Sequence, residues 1–488
     1  MIWADSVKKY FAVSMRERCH GRTEVGIAPM PSKNTLRNDM GDIAAVRPGT
    51  EKGAARARRL PAALSLLCLP GFLALAPAGA ALLALAPAGA AAQTATIGPE
   101  ATARGVTVMT RPRPDYDPAG VRLGGFRIDS ALELGMGYDD NLQPGRENEK
   151  GDAFFTEALS VSANSFWTRH ALGLTASQST RQHIRESSLN WNDYAVGVNG
   201  RYDIGRASSV FGSYNYQRSH LDVDNFDVQE SGFSRPVPYD QHIFEVGGVA
   251  AFNRLALKPS AEYRIIRYED RTSGDQREIN SGNDYNSLQG ELEADYTVVE
   301  GRHLLALVRV QDIAYDRSEQ RGRDSFTWEA QAGFQYDLTG LWQARLTAGY
   351  RERDYDDPTL KNLSGLAFEG QLIMVPSQLT TVTLAVQRTI EESIRASNVS
   401  YTRTLGRVTV DHELLRNVIL TGELRAEHRD YPERGKVTDG IALVGAQYLI
   451  NRNMAVLASY QHTERLEAPD GVREYGINQF QVRLRFSL

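Results

Sequence analysis

The connections in this chain alternate in length, and that rhythm limits what it can fold into more than any other feature. From about residue 121, eighteen segments of alternating apolar and polar side chains follow one another. Between them, very short links take turns with long polar ones. The short links are "FWTR" (166–169), "GRA" (205–207), "NR" (253–254), "EGR" (300–302), "TG" (339–340), "PSQ" (376–378), "RN" (416–417) and "NRN" (451–453). The long ones include 139–152, 185–193, 222–241, 271–284, 318–324, 432–440 and 469–474, rich in Gly, Asn, Asp and Arg. Tight turns on one rim and long polar loops on the other describe antiparallel strands running up and down around a closed wall.

The alternation within each segment gives the wall two different faces. In "SLQGELEADYTV", Leu288, Leu292, Ala294, Tyr296 and Val298 oppose Gln289, Glu291, Glu293 and Asp295. In "FTWEAQAGFQYD", Phe326, Trp328, Ala330, Ala332, Phe334 and Tyr336 oppose Glu329, Gln331, Gln335 and Asp337, which puts aromatics near both ends of the apolar face. A period of two means one apolar and one polar side. A soluble sandwich alternates too, but with strands of about 5–6 residues, half the length seen here. An apolar outer band flanked by aromatics is the pattern of a strand that crosses a membrane.

The final segment, "INQFQVRLRFSL", alternates to the last residue. Phe480, Val482, Leu484, Phe486 and Leu488 oppose Gln479, Gln481, Arg483 and Arg485. A chain that ends inside a strand has to close something, so the expected fold is all-β: a transmembrane antiparallel up-and-down barrel of about 18 strands, with 16 as the next count. The strands are marked most weakly around 393–405. The terminal Leu488 stands where such barrels usually carry an aromatic, and Phe486 is in phase to take that part.

The N-terminal part reads differently. "RARR" at 56–59 precedes an apolar stretch, 60–92, that holds two copies of "LALAPAGA" and ends on small residues at Ala90 and Ala92. A basic cluster, an apolar run and small residues make a secretory signal peptide over 56–92, with cleavage expected after Ala92. Pro70, Pro77 and Pro87 make the stretch a poor membrane helix. Residues 1–55 show no periodicity and are read as an extension, with Met40 as an alternative start. Both cysteines, Cys19 and Cys68, fall in the part to be removed, so no disulfide and no cysteine-based metal site is expected in the exported chain.

Residues 93–120 form a lead-in. Pro112, Pro114 and Pro118 withhold backbone donors and keep the segment extended, so strand pairing is expected to begin near Val121 and the barrel to occupy 121–488.

Of the 55 basic and 60 acidic residues, 12 and 6 precede Gln93, which leaves the exported chain near −11 and argues against nucleic acid as a partner. Only Lys150, Lys258, Lys361 and Lys436 among its cations are lysines.

The stretch "VTVMTRPRPDYDPAGVRLGGFRIDSALELGMGYDDNL" (106–142) combines a proline-bracketed lead-in, a glycine-aromatic strand start and a "YDDN" strand end. It resembles the opening signature of the putative β-barrel porin 2 family. The resemblance implies an outer-membrane barrel of a Gram-negative bacterium, often encoded near exopolysaccharide machinery. The partners it implies are outer-membrane lipid and lipopolysaccharide, the barrel-insertion machinery and polysaccharide-secretion components.

Sixteen to eighteen strands enclose an aqueous channel unless something fills it, so a pore for polar solutes or a polysaccharide is the expected function. The charged residues in phase with the polar face are the lumen candidates: Arg127, Asp129, Arg201, Asp203, Glu291, Glu293, Asp295, Arg345, Arg351, Arg353, Glu423, Arg425, Glu427, Arg429, Arg483 and Arg485. Two readings stay open for them: a mutually paired lattice that stiffens the wall, or rows that sort solutes by charge and hydrogen bonding. The loop "DVDNFDVQESGFSRPVPYDQ" (222–241) is either an external contact element or a constriction folded inward, and sequence does not separate the two.

An integral-membrane hydrolase is the competing class, with His183, His220, His412 and His428 beside Asp411 and Glu413 as its only candidates. No nucleophile motif accompanies them, and neighbours on a strand point to opposite faces. The acidic segments "DVDNFD" (222–227) and "YDDN" (138–141) offer oxygen ligands without a defined cation spacing, so no metal or other cofactor is expected.

Overall fold

A computed structural model describes residues 106–144, 150–273, 276–278, 280–338, 340–395 and 398–488. The signal peptide, the extension before it and lead-in residues 93–105 lie outside the described residues. Nineteen strands form one sheet, of which the three-residue strand Val121–Leu123 only folds back on its neighbour, leaving eighteen that make the wall.

The first six are β1 (Phe126–Asp139), β2 (Asp152–Ser165), β3 (Ala171–His183), β4 (Trp191–Ile204), β5 (Ser208–Leu221) and β6 (Val237–Phe252). The next six are β7 (Leu255–Tyr268), β8 (Tyr285–Val299), β9 (Arg302–Tyr315), β10 (Ser325–Leu338), β11 (Trp342–Tyr355) and β12 (Leu363–Ser377). The last six are β13 (Thr380–Arg395), β14 (Asn398–Leu415), β15 (Val418–Tyr431), β16 (Gly435–Asn451), β17 (Met454–Glu467) and β18 (Gly476–Ser487). Each pairs antiparallel with the next. Where the sequence marks strands weakly, β13 and β14 run 16 and 18 residues. The loop expected over 432–440 is shorter, because β16 begins at Gly435, whose φ of +105° a residue with a side chain adopts with difficulty.

The barrel closes where β1 meets β18. Tyr138 stands opposite Phe480, Met136 opposite Val482, Leu134 opposite Leu484 and Leu132 opposite Phe486. The Leu488 amide then donates to the Ser130 carbonyl at 3.0 Å, so pairing runs to the last residue. Closure leaves no unpaired strand edge, the condition for a sheet to stand in lipid.

The outer face carries Leu134, Met136, Leu159, Val196, Val246, Leu292, Leu304 and Val444, all exposed. Exposed Tyr138, Tyr194, Phe244 and Tyr460 lie toward the long-loop rim, and Trp167, Phe252, Tyr296, Trp342 and Tyr448 toward the short-turn rim. These two aromatic belts bracket the apolar band. An outer face of this kind would be costly in water and is stable only in a bilayer. No described helix is long and apolar enough to cross a membrane, and the crossing is made by strands.

Candidate functional site: a lumen narrowed from both ends

All sixteen charged residues expected to line the lumen lie on the face opposite the exposed apolar row of their strands. That this face is concave follows from contacts between strands that are not neighbours. Arg345 on β11 pairs with Glu293 on β8, and Arg309 on β9 reaches Glu369 on β12 at 3.0 Å. On a flat or convex surface, side chains three strands apart would not meet.

The charges are gathered on one side. From β7 to β11, Lys258 lies 3.2 Å from Glu293, Arg309 contacts Glu291 and Glu329, Arg351 pairs with Glu329, and Arg353 pairs with Glu392. Higher on β13–β17, Arg403 bridges Glu391 and Glu427, Arg429 bridges Glu427 and Asp439, and Arg465 meets Asp439 at 2.8 Å. Glu133 accepts from both Arg483 and Arg485 across the closing seam. Two pairs sit at the short-turn rim: Arg201 with Asp203, and Arg127 with Asp129, both at 2.8 Å. Asp295 meets Lys258 at 3.4 Å and lies 2.6 Å from His303 Nδ1, and Glu423 accepts from Thr409. Only Arg425 of the sixteen has neither a hydrogen bond nor an ion pair among the described residues.

Sequence reasoning missed Arg309, Arg403, Arg407, Asp439 and Arg465, and it set Glu133 and Glu329 on the polar face without counting them among the lumen charges. All are in phase with the polar face, so strand parity could have found them. Across the lumen, β2–β5 present a different surface at mid-height, with inward Ser160, Ser162, Thr175, Ser177, Asn199, Ser213 and Asn215. One wall is a charged lattice and the facing one is small, neutral and polar.

Two segments enter this space. The connection between β5 and β6 folds inward: Asn225 caps a short helix, α1 (Phe226–Glu230), by accepting from the Asp227 amide at 2.9 Å. Phe226 and Val228 are fully buried. Phe226 packs on Tyr431 with Tyr401 and Val437, while Val228 joins Leu221, Tyr239, Ile266, Tyr285, Tyr315 and Ile394. Polar bonds tie the loop to the wall opposite its origin. Arg465 and Tyr475 donate to the Asp224 carbonyl at 3.1 and 3.0 Å, and Arg395 and Arg434 hold Glu230 at 3.1 and 2.8 Å. The loop is thus the inward constriction, the second of the two placements the sequence left open.

These bonds set the loop's titration. Burial pushes the Asp224 carboxyl up to about 7, helped by the nearby Asp222 and Asp439 carboxylates. Burial alone would also raise Glu230, but Arg434 and Arg395 outweigh it and hold that carboxyl below the usual range.

From the other rim the lead-in turns into the barrel mouth. Val108 is buried against Ile419, Leu449, Ala455 and Leu457, with Met109 and Tyr116 beside it. The Val108 amide donates to Thr381 Oγ1 at 2.9 Å. Arg113 donates to the Val108 carbonyl and to Glu413 Oε2, at 2.7 and 2.8 Å. Arg127 reaches the Pro118 carbonyl at 3.3 Å. Gly120, at φ +68°, lies where a Cβ would come within 2.8 Å of the Arg127–Asp129 pair.

A family model for the Putative beta-barrel porin 2 family matches residues 113–488. The chain belongs to that family. As a member of the β-barrel porin 2 family, it is an outer-membrane barrel of the porin type. Solved porins resemble it in outline. OccAB3 of Acinetobacter baumannii is 11% identical at a TM-score of 0.39, covering 74% of this chain and 99% of its own. OpdK of Pseudomonas aeruginosa is 14% identical at 0.39, covering 74% and 98%. A BenF-like porin of Pseudomonas fluorescens is 10% identical at 0.43, covering 75% and 100%. No curated protein matches this β-barrel porin 2 family member.

In this porin each of the four histidines singled out in the sequence has neighbours of its own. His412 Nδ1 lies 3.0 Å from Thr380 Oγ1, whereas Asp411 accepts from Thr421 at 2.8 Å on the inner face. His428 meets Thr438 at 2.8 Å, and Glu413 is taken by Arg113. His220 lies 2.9 Å from Asp193 and stacks on Trp191. His183 packs beside Phe154. Among the described residues no cluster of His, Cys, Asp or Glu is spaced to hold a metal ion. In the acidic segments, Asp140 accepts from Asn478, and the Asp222 carboxylate faces His220.

Proposed function

We propose that this porin passes small polar solutes along the neutral β2–β5 wall, past a charged wall that selects among them. The observation that carries the reading is the inward β5–β6 loop, bonded at Asp224 and Glu230 to strands on the far side. A loop held across a lumen leaves room for small solutes rather than for an extended polysaccharide. Export of a polysaccharide, which the family resemblance implies, would require this loop to swing clear. The charges are mostly paired with one another, which supports a wall whose field is local and set by its few uncompensated groups. Lipopolysaccharide around the outer belt and the barrel-insertion machinery at the β18 strand are the partners this reading carries with it.

The test is single-channel conductance of the refolded chain from Gln93 to Leu488 in a planar bilayer. Small, stable ohmic steps that grow when residues 223–235 are replaced by a short Gly-Ser link support the constricted pore. Absence of conductance from a correctly inserted, protease-resistant barrel, with and without the loop, would overturn it.

A further inference from the structure

We propose that Arg407 and Arg425 form a binding subsite for the carboxylate of a small organic acid, midway through the lumen. The proposal rests on the pore reading for its physiological meaning and on local geometry for its chemistry. Arg407 on β14 and Arg425 on β15 are directly opposite in register. Like charges placed opposite one another on a sheet face repel, so such a pair calls for a counter-charge.

Glu423 and Glu427 flank Arg425 on its own strand and attract it from either side, but neither comes within ion-pair distance of Arg425 or Arg407. The other inward guanidinium groups of the charged wall have partners: Arg403 and Arg429, the next arginines outward on these strands, share Glu427. Among the described residues, neither Arg407 nor Arg425 makes a hydrogen bond, an ion pair or a ring contact, and the Arg425 Nε is buried without an acceptor. An unpaired buried donor costs free energy unless something meets it. Two guanidinium forks side by side match the geometry of one carboxylate.

The neighbours narrow the class further. In the same sheet row, Ala385 flanks Arg407 and Ile441 flanks Arg425, so the anion would sit between apolar side chains. That suits a monocarboxylate with a short apolar body over a multiply charged ion. The height is also specific. Tyr401 and Tyr431, which face the inward loop, are six residues outward, and Glu413 and Ile419, which face the lead-in, are six residues the other way. At about 3.3 Å per residue the pair is about 20 Å along the strands from each constriction.

The test is isothermal titration of the detergent-refolded barrel with sodium butyrate at constant ionic strength, with butyramide as the neutral control. Saturable butyrate binding is expected, with none for butyramide, and a loss of about tenfold or more in Arg407→Gln and in Arg425→Gln. Neither substitution removes a bond, so the urea midpoint of each variant should equal or exceed that of the parent, a result a structural role would not give. Butyrate binding that is absent in the folded parent, or unchanged in both variants, overturns the subsite. Conductance of the same preparation judges the pore separately: a conducting barrel that does not bind butyrate sinks the subsite alone, and a silent barrel that binds it sinks the pore alone.

Discussion

Arg113 and Glu413, 300 residues apart in sequence, meet at 2.8 Å with each side chain only 4% exposed. The contact fastens the lead-in inside the short-turn mouth. Arg113→Ala removes it and leaves Glu413 to Arg111 and Arg416, at 3.6 and 3.4 Å. Lead-in docking should weaken by about 1.5–3 kcal/mol, the range for a hydrogen bond to a charged group. Limited proteolysis should then cut near residues 106–118 at least tenfold faster, with the barrel itself intact.

Phe226 anchors the β5–β6 loop in an aromatic nest with Tyr401 and Tyr431. Truncating a fully buried phenylalanine costs about 3–5 kcal/mol where the site cannot collapse. Phe226→Ala should therefore release the loop and raise single-channel conductance several-fold. An unchanged step size would mean that the loop does not limit flow.

Loop docking should also respond to pH through Asp224. Its carboxyl titrates near 7 when docked and in the ordinary range, near 4, when the loop is free. The docked form therefore holds a proton that the free form loses between about pH 4 and 7, and docking strengthens as pH falls through that window. Above about pH 7 both forms are ionised and the dependence ends. Conductance should fall between pH 8 and 5, and Asp224→Asn should fix it near its low-pH level.

Glu329, 1% exposed, holds Arg351 and Arg309 in the charged wall. Removing one member of a buried ion network leaves its partners uncompensated, at a cost of about 3–5 kcal/mol. Glu329→Gln should lower the urea midpoint of the refolded barrel clearly, whereas exposed Glu157→Gln should not.

The assignment of faces is open to a paired test. Val196 points outward and Ser177, one sheet position away on β3, points inward. An arginine on the lipid face near mid-height costs about 2–4 kcal/mol, whereas the lumen tolerates charge. Val196→Arg should impair folding into vesicles far more than Ser177→Arg. Equal losses would mean the two faces are reversed or alike.

The strands were legible because parity is local. Once Leu288 and Leu292 are outside, Glu291 and Glu293 must be inside, and the two-residue link Asn253–Arg254 forces β6 and β7 together. Even the closure could be read from the alternation of 477–488. The two inward segments could not, because their destinations depend on partners hundreds of residues away. Nothing in "DVDNFDVQES" says that Arg465 waits for the Asp224 carbonyl, and three prolines explain why 106–120 is no strand without saying that Val108 will be buried. Arg407 was missed for a smaller reason. In "YTRTLGRVTVD" the inner row Tyr401, Arg403, Leu405, Arg407 mixes apolar with charged side chains, so its period is faint until the neighbouring strands are in place.

Both constricting segments come from the first half of the chain, yet they fasten to strands in its last hundred residues, through Arg113 with Glu413 and Asp224 with Arg465. Contacts of such long sequence separation form late, after the loops between them have closed. Both constrictions are therefore fastened only once β14 to β17 are in place. A chain arrested before β17 would lack both the guanidinium that draws the loop across and the two strands that close the wall, so constriction and closure depend on the same end of the sequence.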